Sequence, residues 1–374
     1  MIKKISIYFF TTIILFFIIE LIAAGIYYQY YKDFMQSRFV SIELFSKIIH
    51  KLQNKKYEKL IEFMKYKDTD DDSYMCYTFN PQLHSKETIY HLSNAVNSTM
   101  VMFDETGKLL TFKTDEIGFR NPKNQSNKNV DFIFIGDSYT EGFYVPDEDT
   151  IAGQFRQNGY EVMNFGRGGS GPIFQLAVLK EYGSYVKTEN VIWFVFGGND
   201  YLNLREEKTT ILQRYLFEEN FTQNLFQNRL ENSIILKDFL DNEFELSKTR
   251  MKNKLPLNYN QKYGETLDKL EIEMKESMLF YSVAEKILSE TERIGSNLVI
   301  VFIDHAFYSN EVKDSTLNIL KEFSYEKQIK LIEIERQNLI DNHDDYYDVK
   351  VGHFNSKGYH IITKNILDHL ELNQ

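Results

Sequence analysis

Asp131-Phe132-Ile133-Phe134-Ile135-Gly136-Asp137-Ser138-Tyr139-Thr140-Glu141-Gly142 reads as a short buried strand running straight into a glycine-flanked polar turn. An apolar run closed by glycine is the pattern of a strand covered on both faces. The chain downstream repeats it. Tyr160 to Phe165, Val191 to Phe196, Asn297 to Ile303 and Ile329 to Ile334 are further apolar runs. Helical patterns fall between and after them, from about Thr150, after Pro172, over 313–327, and from Ser356 almost to the end. Five strands joined by crossover helices predict an α/β domain built on a parallel sheet with both faces covered.

Upstream and between these runs the pattern changes. Residues 205 to about 290 are a long polar insertion with helical patches around Phe221 to Phe239 and Leu267 to Ile287, and a segment of that size commonly forms a lid or cap beside a site. Residues 99–113 read as a small hairpin with Asp104-Glu105-Thr106-Gly107 as its turn. Residues 41–66 carry Ile42, Phe45, Ile48, Ile49, Leu52, Leu60 and Met64 at mostly helical spacing. They predict a membrane-proximal helix packed on the main domain; the lysines between them leave a membrane-surface helix as the alternative.

Ile5 to Tyr27 is a nearly unbroken apolar run behind Lys3 and Lys4, with Glu20 its one ionisable group. A helix of that length spans roughly 35 Å, enough for a hydrocarbon core of about 30 Å. It predicts an uncleaved transmembrane anchor, against which stands a signal peptide cut near Ala23-Ala24-Gly25. With no later apolar stretch of comparable length, everything after residue 30 is expected on one side of a bacterial cytoplasmic membrane, the extracytoplasmic one. The expected organisation is an anchor over 1–29, a membrane-proximal helix and hairpin region over 30–115, and the main domain over 116–374.

Across the 374 residues, 43% are hydrophobic and the formal net charge is −11 with no basic block, so no nucleic-acid partner is expected. The single cysteine, Cys76, excludes an internal disulfide framework and a cysteine-rich zinc site. His343, His353 and His360 lack the i, i+4 spacing of a metal pair, and no metal or other cofactor is expected.

Four polar stretches remain for chemistry. Gly136-Asp137-Ser138-Tyr139-Thr140-Glu141-Gly142 places a serine at the carboxyl end of a strand, where open α/β sheets bind ligands. The same residues would also make an ordinary strand-to-helix turn capped by Asp137 or Ser138. Asn164-Phe165-Gly166-Arg167-Gly168-Gly169-Ser170-Gly171-Pro172 exposes backbone N–H groups suited to an oxyanion, without the spacing of a dinucleotide loop. Gly197-Gly198-Asn199-Asp200 offers an amide donor or simply a turn. Gly352-His353-Phe354-Asn355-Ser356-Lys357-Gly358 sets an imidazole just before the last helix.

In this order the four stretches resemble the four blocks of the SGNH (GDSL-like) hydrolases, over residues 116–374. Gly118-Phe119-Arg120 is also similar to bacterial envelope members. The resemblance implies a flavodoxin-like, doubly wound five-stranded sheet. It implies Ser138 as nucleophile and His353 as base, with an oxyanion hole of Gly169 N–H, Ser138 N–H and the Asn199 side chain. One departure stands out. The family places an aspartate two or three residues before the histidine, where this chain has Lys350 and Val351. Asp348, five residues before, could reach the ring if the loop bends, or a backbone carbonyl could serve instead. The implied function is a serine esterase working through an acyl-serine, removing O-acetyl groups from an envelope polysaccharide. O-acetyl transfer to such a glycan, a non-catalytic glycan-binding module, and lipase- or thioesterase-like hydrolysis are the alternatives.

Overall fold

The structure is a computed structural model that describes residues 55–76, 82–83, 89–124, 129–253, 276–304, 310–334, 347 and 352–372. The expected membrane span at Ile5 to Tyr27 lies outside them. Among the described residues no helix is long and apolar enough to cross a membrane. The chain divides into two compact units, one of residues 1–65 and 243–259, the other of 66–242 and 260–374. In the first, a helical stretch from residue 55 buries Leu60 and Phe63, and the Phe63 ring meets Phe244 edge-on at 5.1 Å.

Among the described residues the second unit holds ten strands. Ser73–Met75 (β1), Thr99–Phe103 (β4) and Leu109–Lys113 (β5) form a small sheet in the order β1-β4-β5. Gln82–Leu83 (β2) pairs with Ile89–Tyr90 (β3). The main sheet takes Asn129–Ile135 (β6), Val162–Asn164 (β7), Lys187–Phe196 (β8), Asn297–Ile303 (β9) and Lys330–Ile334 (β10) in the order β10-β9-β8-β6-β7, every pair parallel. Numbered along the chain within this sheet, that is the 2-1-3-4-5 order of a flavodoxin-like doubly wound fold. The order reverses between β6 and β8, and ligands of such sheets bind in the crevice beyond the strand ends there.

Side-chain alternation builds two cores. On one face Ile133, Ile135, Val191, Trp193, Val195, Ile300 and Phe302 pack against the helices Pro172–Tyr182 (α3), Glu276–Arg293 (α7) and Asn310–Lys327 (α8). On the other, Phe132, Phe134, Ile192, Phe194, Val299 and Val301 meet Ile151–Gln157 (α2) and Ser356–His369 (α9). The α2 start expected near Thr150 is a side-chain cap, Thr150 Oγ1 accepting from Gly153 N at 2.9 Å. Between α3 and α7 run Asp200–Glu207 (α4), Gln213–Phe217 (α5) and Arg229–Lys252 (α6), while the nucleophile stretch itself forms the short helix Ser138–Glu141 (α1).

Two differences from the sequence reading concern the insertion. Its last helix is no lid: α7 buries Leu279, Phe280, Val283, Ala284 and Ile287 completely, and Phe280 stacks on Trp193 at 5.9 Å, so it is a core crossover helix between β8 and β9. The patch from Phe221 becomes helical only at Arg229. The chain before it is tied down by Glu181, whose carboxylate accepts from Gln223 N at 2.6 Å and Leu225 N at 2.8 Å, bonds that take these amides out of a helical ladder.

Phe134 sits fully buried in the strand that carries the nucleophile, edge-on to Phe155 at 5.0 Å and Phe194 at 5.1 Å. Phe134→Ala is expected to cost about 3–5 kcal/mol of stability. Urea unfolding followed by the fluorescence of Trp193, the chain's one tryptophan, measures it, and a loss under about 1 kcal/mol contradicts this packing.

Candidate active site

The four polar stretches come together at the carboxyl edge of the main sheet. β6 ends at Ile135, and Asp137 caps α1 by accepting from Tyr139 N at 3.0 Å. The capped turn allowed for in the sequence therefore exists, and it also presents Ser138, only 7% exposed, at the head of α1. Ser138 Oγ lies 2.8 Å from His353 Nε2.

The His353 ring is packed on three sides. Tyr139 stacks on it with centroids 4.9 Å apart, Phe143 approaches at 5.6 Å, and Tyr144 meets it edge-on at 4.8 Å. Tyr139 also donates its hydroxyl to the Gly352 carbonyl at 3.2 Å, and Asn355 caps α9 through Gly358 N at 2.9 Å, so both flanks of the histidine are fixed.

On the far side of the ring stands a residue that the sequence places in the turn of the small hairpin over 99–113. Glu105 Oε1 lies 3.2 Å from His353 Nδ1 and accepts from the His353 backbone N–H at 3.1 Å. A carboxylate can only accept, so the Nδ1 proton faces Glu105, and Nε2 is left with its lone pair toward the Ser138 hydroxyl. Asp348 lies outside the described residues, as does His343. His360 bonds Gln154 Oε1 through Nδ1 at 3.0 Å. Among the described residues no three His, Cys, Asp or Glu side chains stand where they could hold a metal ion.

The glycine-rich second stretch is locked to the first by buried polar groups. Asn164 donates to the Thr140 carbonyl and accepts from Gly166 N, both at 2.8 Å. Arg167 N donates to the Gly136 carbonyl at 3.0 Å. Glu141, fully buried, accepts from Gly168 N at 2.5 Å and Asn94 Nδ2 at 3.0 Å, with Arg167 Nη1 at 3.5 Å. These contacts fix the backbone at Gly169, whose φ of +74° only glycine adopts without strain. Gly171 opens α3 with no side chain to cap it, and Glu207 supplies the missing acceptor, taking Gly171 N at 2.5 Å, Ile173 N at 3.0 Å and Phe174 N at 3.3 Å. Burial pushes Glu207 up to about 8 against those three donors.

Asn199 stands at the head of α4 beside the Asp137 carboxyl, and next to it the fully buried Asp200 accepts from Phe196 N at 3.0 Å. Burial pushes Asp137 up to about 6, opposed by the Tyr139 N–H, the charge of His353 and the Asn199 amide. Asp200 is raised well above the ordinary carboxylate range by burial and then by the charge of Asp137.

The arrangement has the groups for acyl transfer: a hydroxyl on an imidazole, a carboxylate behind it, and donors on a fixed loop nearby. Residues 132–366 match the family described as GDSL-like Lipase/Acylhydrolase. The chain belongs to this family. It is a serine hydrolase of the SGNH type, and its class of substrate is an ester. No curated protein matches it in sequence. Among solved structures it is similar to a lipolytic protein of the G-D-S-L family from Veillonella parvula, at 10% identity over 64% of this chain and 97% of that one, with a TM-score of 0.36. It is similar also to TesA, at 9% identity over 64% and 98% of the two chains with a TM-score of 0.39. A third is the psychrotrophic esterase EstA from Pseudoalteromonas, at 8% identity over 66% and 97% with a TM-score of 0.36.

Sequence reading missed Glu105, Glu141 and Glu207. The one signal for the first was negative: the place before His353 where the family carries its carboxylate holds Lys350 and Val351.

Glu207→Ala is expected to lower stability by about 3 kcal/mol by orphaning the first amides of α3, read as a fall in the urea midpoint; an unchanged midpoint contradicts the capping role. A second expectation concerns pH. Burial also pushes Asp115 up to about 6. A carboxyl raised on folding binds its proton in the folded state first, so unfolding free energy grows as pH falls through about 6 toward the unfolded value of 3.8. Thermal unfolding should thus occur at a higher temperature at about pH 5.5 than at about pH 7.5, with a smaller rise in Asp137→Asn. A midpoint that drops on this acidification contradicts the expectation.

Proposed function

We propose that Ser138 is the nucleophile and His353 its base in an esterase that removes O-acetyl groups from an envelope polysaccharide. The observation that carries the reading is the 2.8 Å contact between Ser138 Oγ and His353 Nε2 at the reversal point of the sheet. Ser138 Oγ attacks the ester carbonyl carbon while Nε2 takes its proton. The resulting anion is met by the N–H groups of Ser138 and Gly169 and by the Asn199 amide. Collapse breaks the bond to the glycan oxygen, which receives the proton from Nε2. Water, deprotonated by the same nitrogen, then frees acetate from the acyl-serine.

The substrate class rests on two sequence features. The apolar run from Ile5 to Tyr27 suits a membrane anchor that holds the site on the extracytoplasmic side, and Gly118-Phe119-Arg120 resembles envelope members of the family. Transfer of the acyl group to a second sugar would use the same residues with an alcohol in place of water.

The full chain in detergent micelles, given a chromogenic acetyl ester, is expected to turn it over, and Ser138→Ala to lose at least about 10³ of that rate. Retained turnover in the variant removes Ser138 from the role. An O-acetylated polysaccharide is expected to release acetate faster than a long-chain ester is cleaved. The opposite preference overturns the glycan reading and leaves the hydrolase. Acetate appearing on an added acceptor sugar marks transfer instead.

A further inference from the structure

We propose that Glu105, at the tip of the β4–β5 hairpin, is the positioning residue that orients His353 and balances its charge, in place of an aspartate from the histidine's own loop. The inference rests on Ser138 and His353 being the reacting pair.

Three observations beyond the 3.2 Å contact carry it. The first is the local chemistry of the turn. Asp104 alone closes it, its Oδ1 accepting from Thr106 Oγ1 at 2.6 Å and Lys108 N at 2.8 Å. Glu105 is therefore not needed for the turn, and its side chain, 25% exposed, is spent on His353. The second is the footing of the hairpin. Every residue of β4 is buried, and Met100, Met102 and Phe112 form one apolar cluster with Phe143, two residues past the nucleophile helix. Tyr144 N donates to Met102 Sδ at 3.3 Å, and the Arg120 guanidinium, which holds the Gly142 and Val145 carbonyls, lies 4.6 Å over the Phe112 ring. The hairpin and the loop beneath His353 are thus packed as one body, which fixes where a side chain from the turn can reach.

The third observation is Gly352. A Cβ at that position would collide with the Glu105 carboxylate, so the close approach requires the glycine next to the histidine. Glu105 Oε1 takes both the backbone and the ring N–H of His353, and this two-point hold sets the plane of the imidazole as well as its tautomer. When Nε2 accepts the Ser138 proton, the imidazolium forms against a carboxylate only partly exposed to water, where the attraction is less screened than at an open surface. Glu105 lies outside the 132–366 match to the family, so the accessory sheet completes the hydrolase site.

The test uses the full chain and the acetyl ester. Glu105→Gln keeps the shape and removes the charge, and is expected to lower kcat by about 10³–10⁴ with KM within threefold of the wild type. Glu105→Asp should recover part of the loss, and Asp348→Asn should stay within threefold of the wild type. Gly352→Ala should lower kcat by pushing the carboxylate away, and should add nothing to Glu105→Ala, as expected of two changes that break one contact. Nitrogen-15 NMR of the His353 ring reads the contact without turnover. The wild type should hold its proton on Nδ1, and Glu105→Ala should populate both tautomers. A kcat within threefold in Glu105→Gln, or an unchanged tautomer in Glu105→Ala, overturns the proposal. If the wild type shows no turnover that depends on Ser138, the hydrolase reading fails while the NMR arm still decides on Glu105. Loss of rate in Asp348→Asn but not in Glu105→Gln assigns the role to the histidine's own loop instead.

Discussion

A hydroxyl and an imidazole that stand 215 positions apart in the chain meet at 2.8 Å because both emerge at the same edge of one parallel sheet. Ser138 follows β6 directly, and His353 precedes α9, which packs on the face of β6 that carries Phe134. The distance between the two side chains is therefore set by strand spacing and helix packing together with the contacts that fix both flanks of His353. The order reversal between β6 and β8 opens the crevice in which they lie, and Asn199 comes from the end of the second of those strands.

Around that pair the loops are organised by buried polar groups more than by apolar packing. Glu141 and Glu207 each bring a carboxylate into the interior and bind it to backbone amides of the glycine-rich segment. A buried acceptor left without its donors is costly, so each side chain is stable only while the loop keeps its shape, and the loop keeps its shape because its amides have nowhere better to bond. Burial raises the pKa of both Asp137 and Asp200, and the charge of Asp137 raises that of Asp200 further.

The parts legible in the sequence are those whose chemistry and strand position coincide. All five strands of the main sheet, β6 to β10, are legible as apolar runs, while the set Ser138, Gly169, Asn199 and His353 came from the resemblance to the SGNH hydrolases; of these, Ser138 and His353 meet at 2.8 Å. α7 was misread as part of a lid because its polar flanks hid a fully buried stripe from Leu279 to Ile287. Glu105 was illegible for a different reason. A glutamate between Asp104 and Thr106 has the composition of any exposed turn, and its partner lies 248 positions away. Nothing local distinguishes a turn carboxylate facing water from one facing a histidine. Only the absence of acid at Lys350 and Val351 pointed to a supply from elsewhere.

The proposed reacting centre is assembled from Ser138, His353, Glu105 and the donors at Gly169 and Asn199. A crystal structure of the chain inactivated by a fluorophosphonate would show that centre at work, since the phosphorus imitates the tetrahedral intermediate. The expected adduct is a covalent bond to Ser138 Oγ, with the phosphoryl oxygen within hydrogen-bond reach, about 3 Å, of Ser138 N, Gly169 N and Asn199 Nδ2, and His353 still held by Glu105. An adduct on another residue, or a phosphoryl oxygen turned away from Gly169 and Asn199, would contradict it.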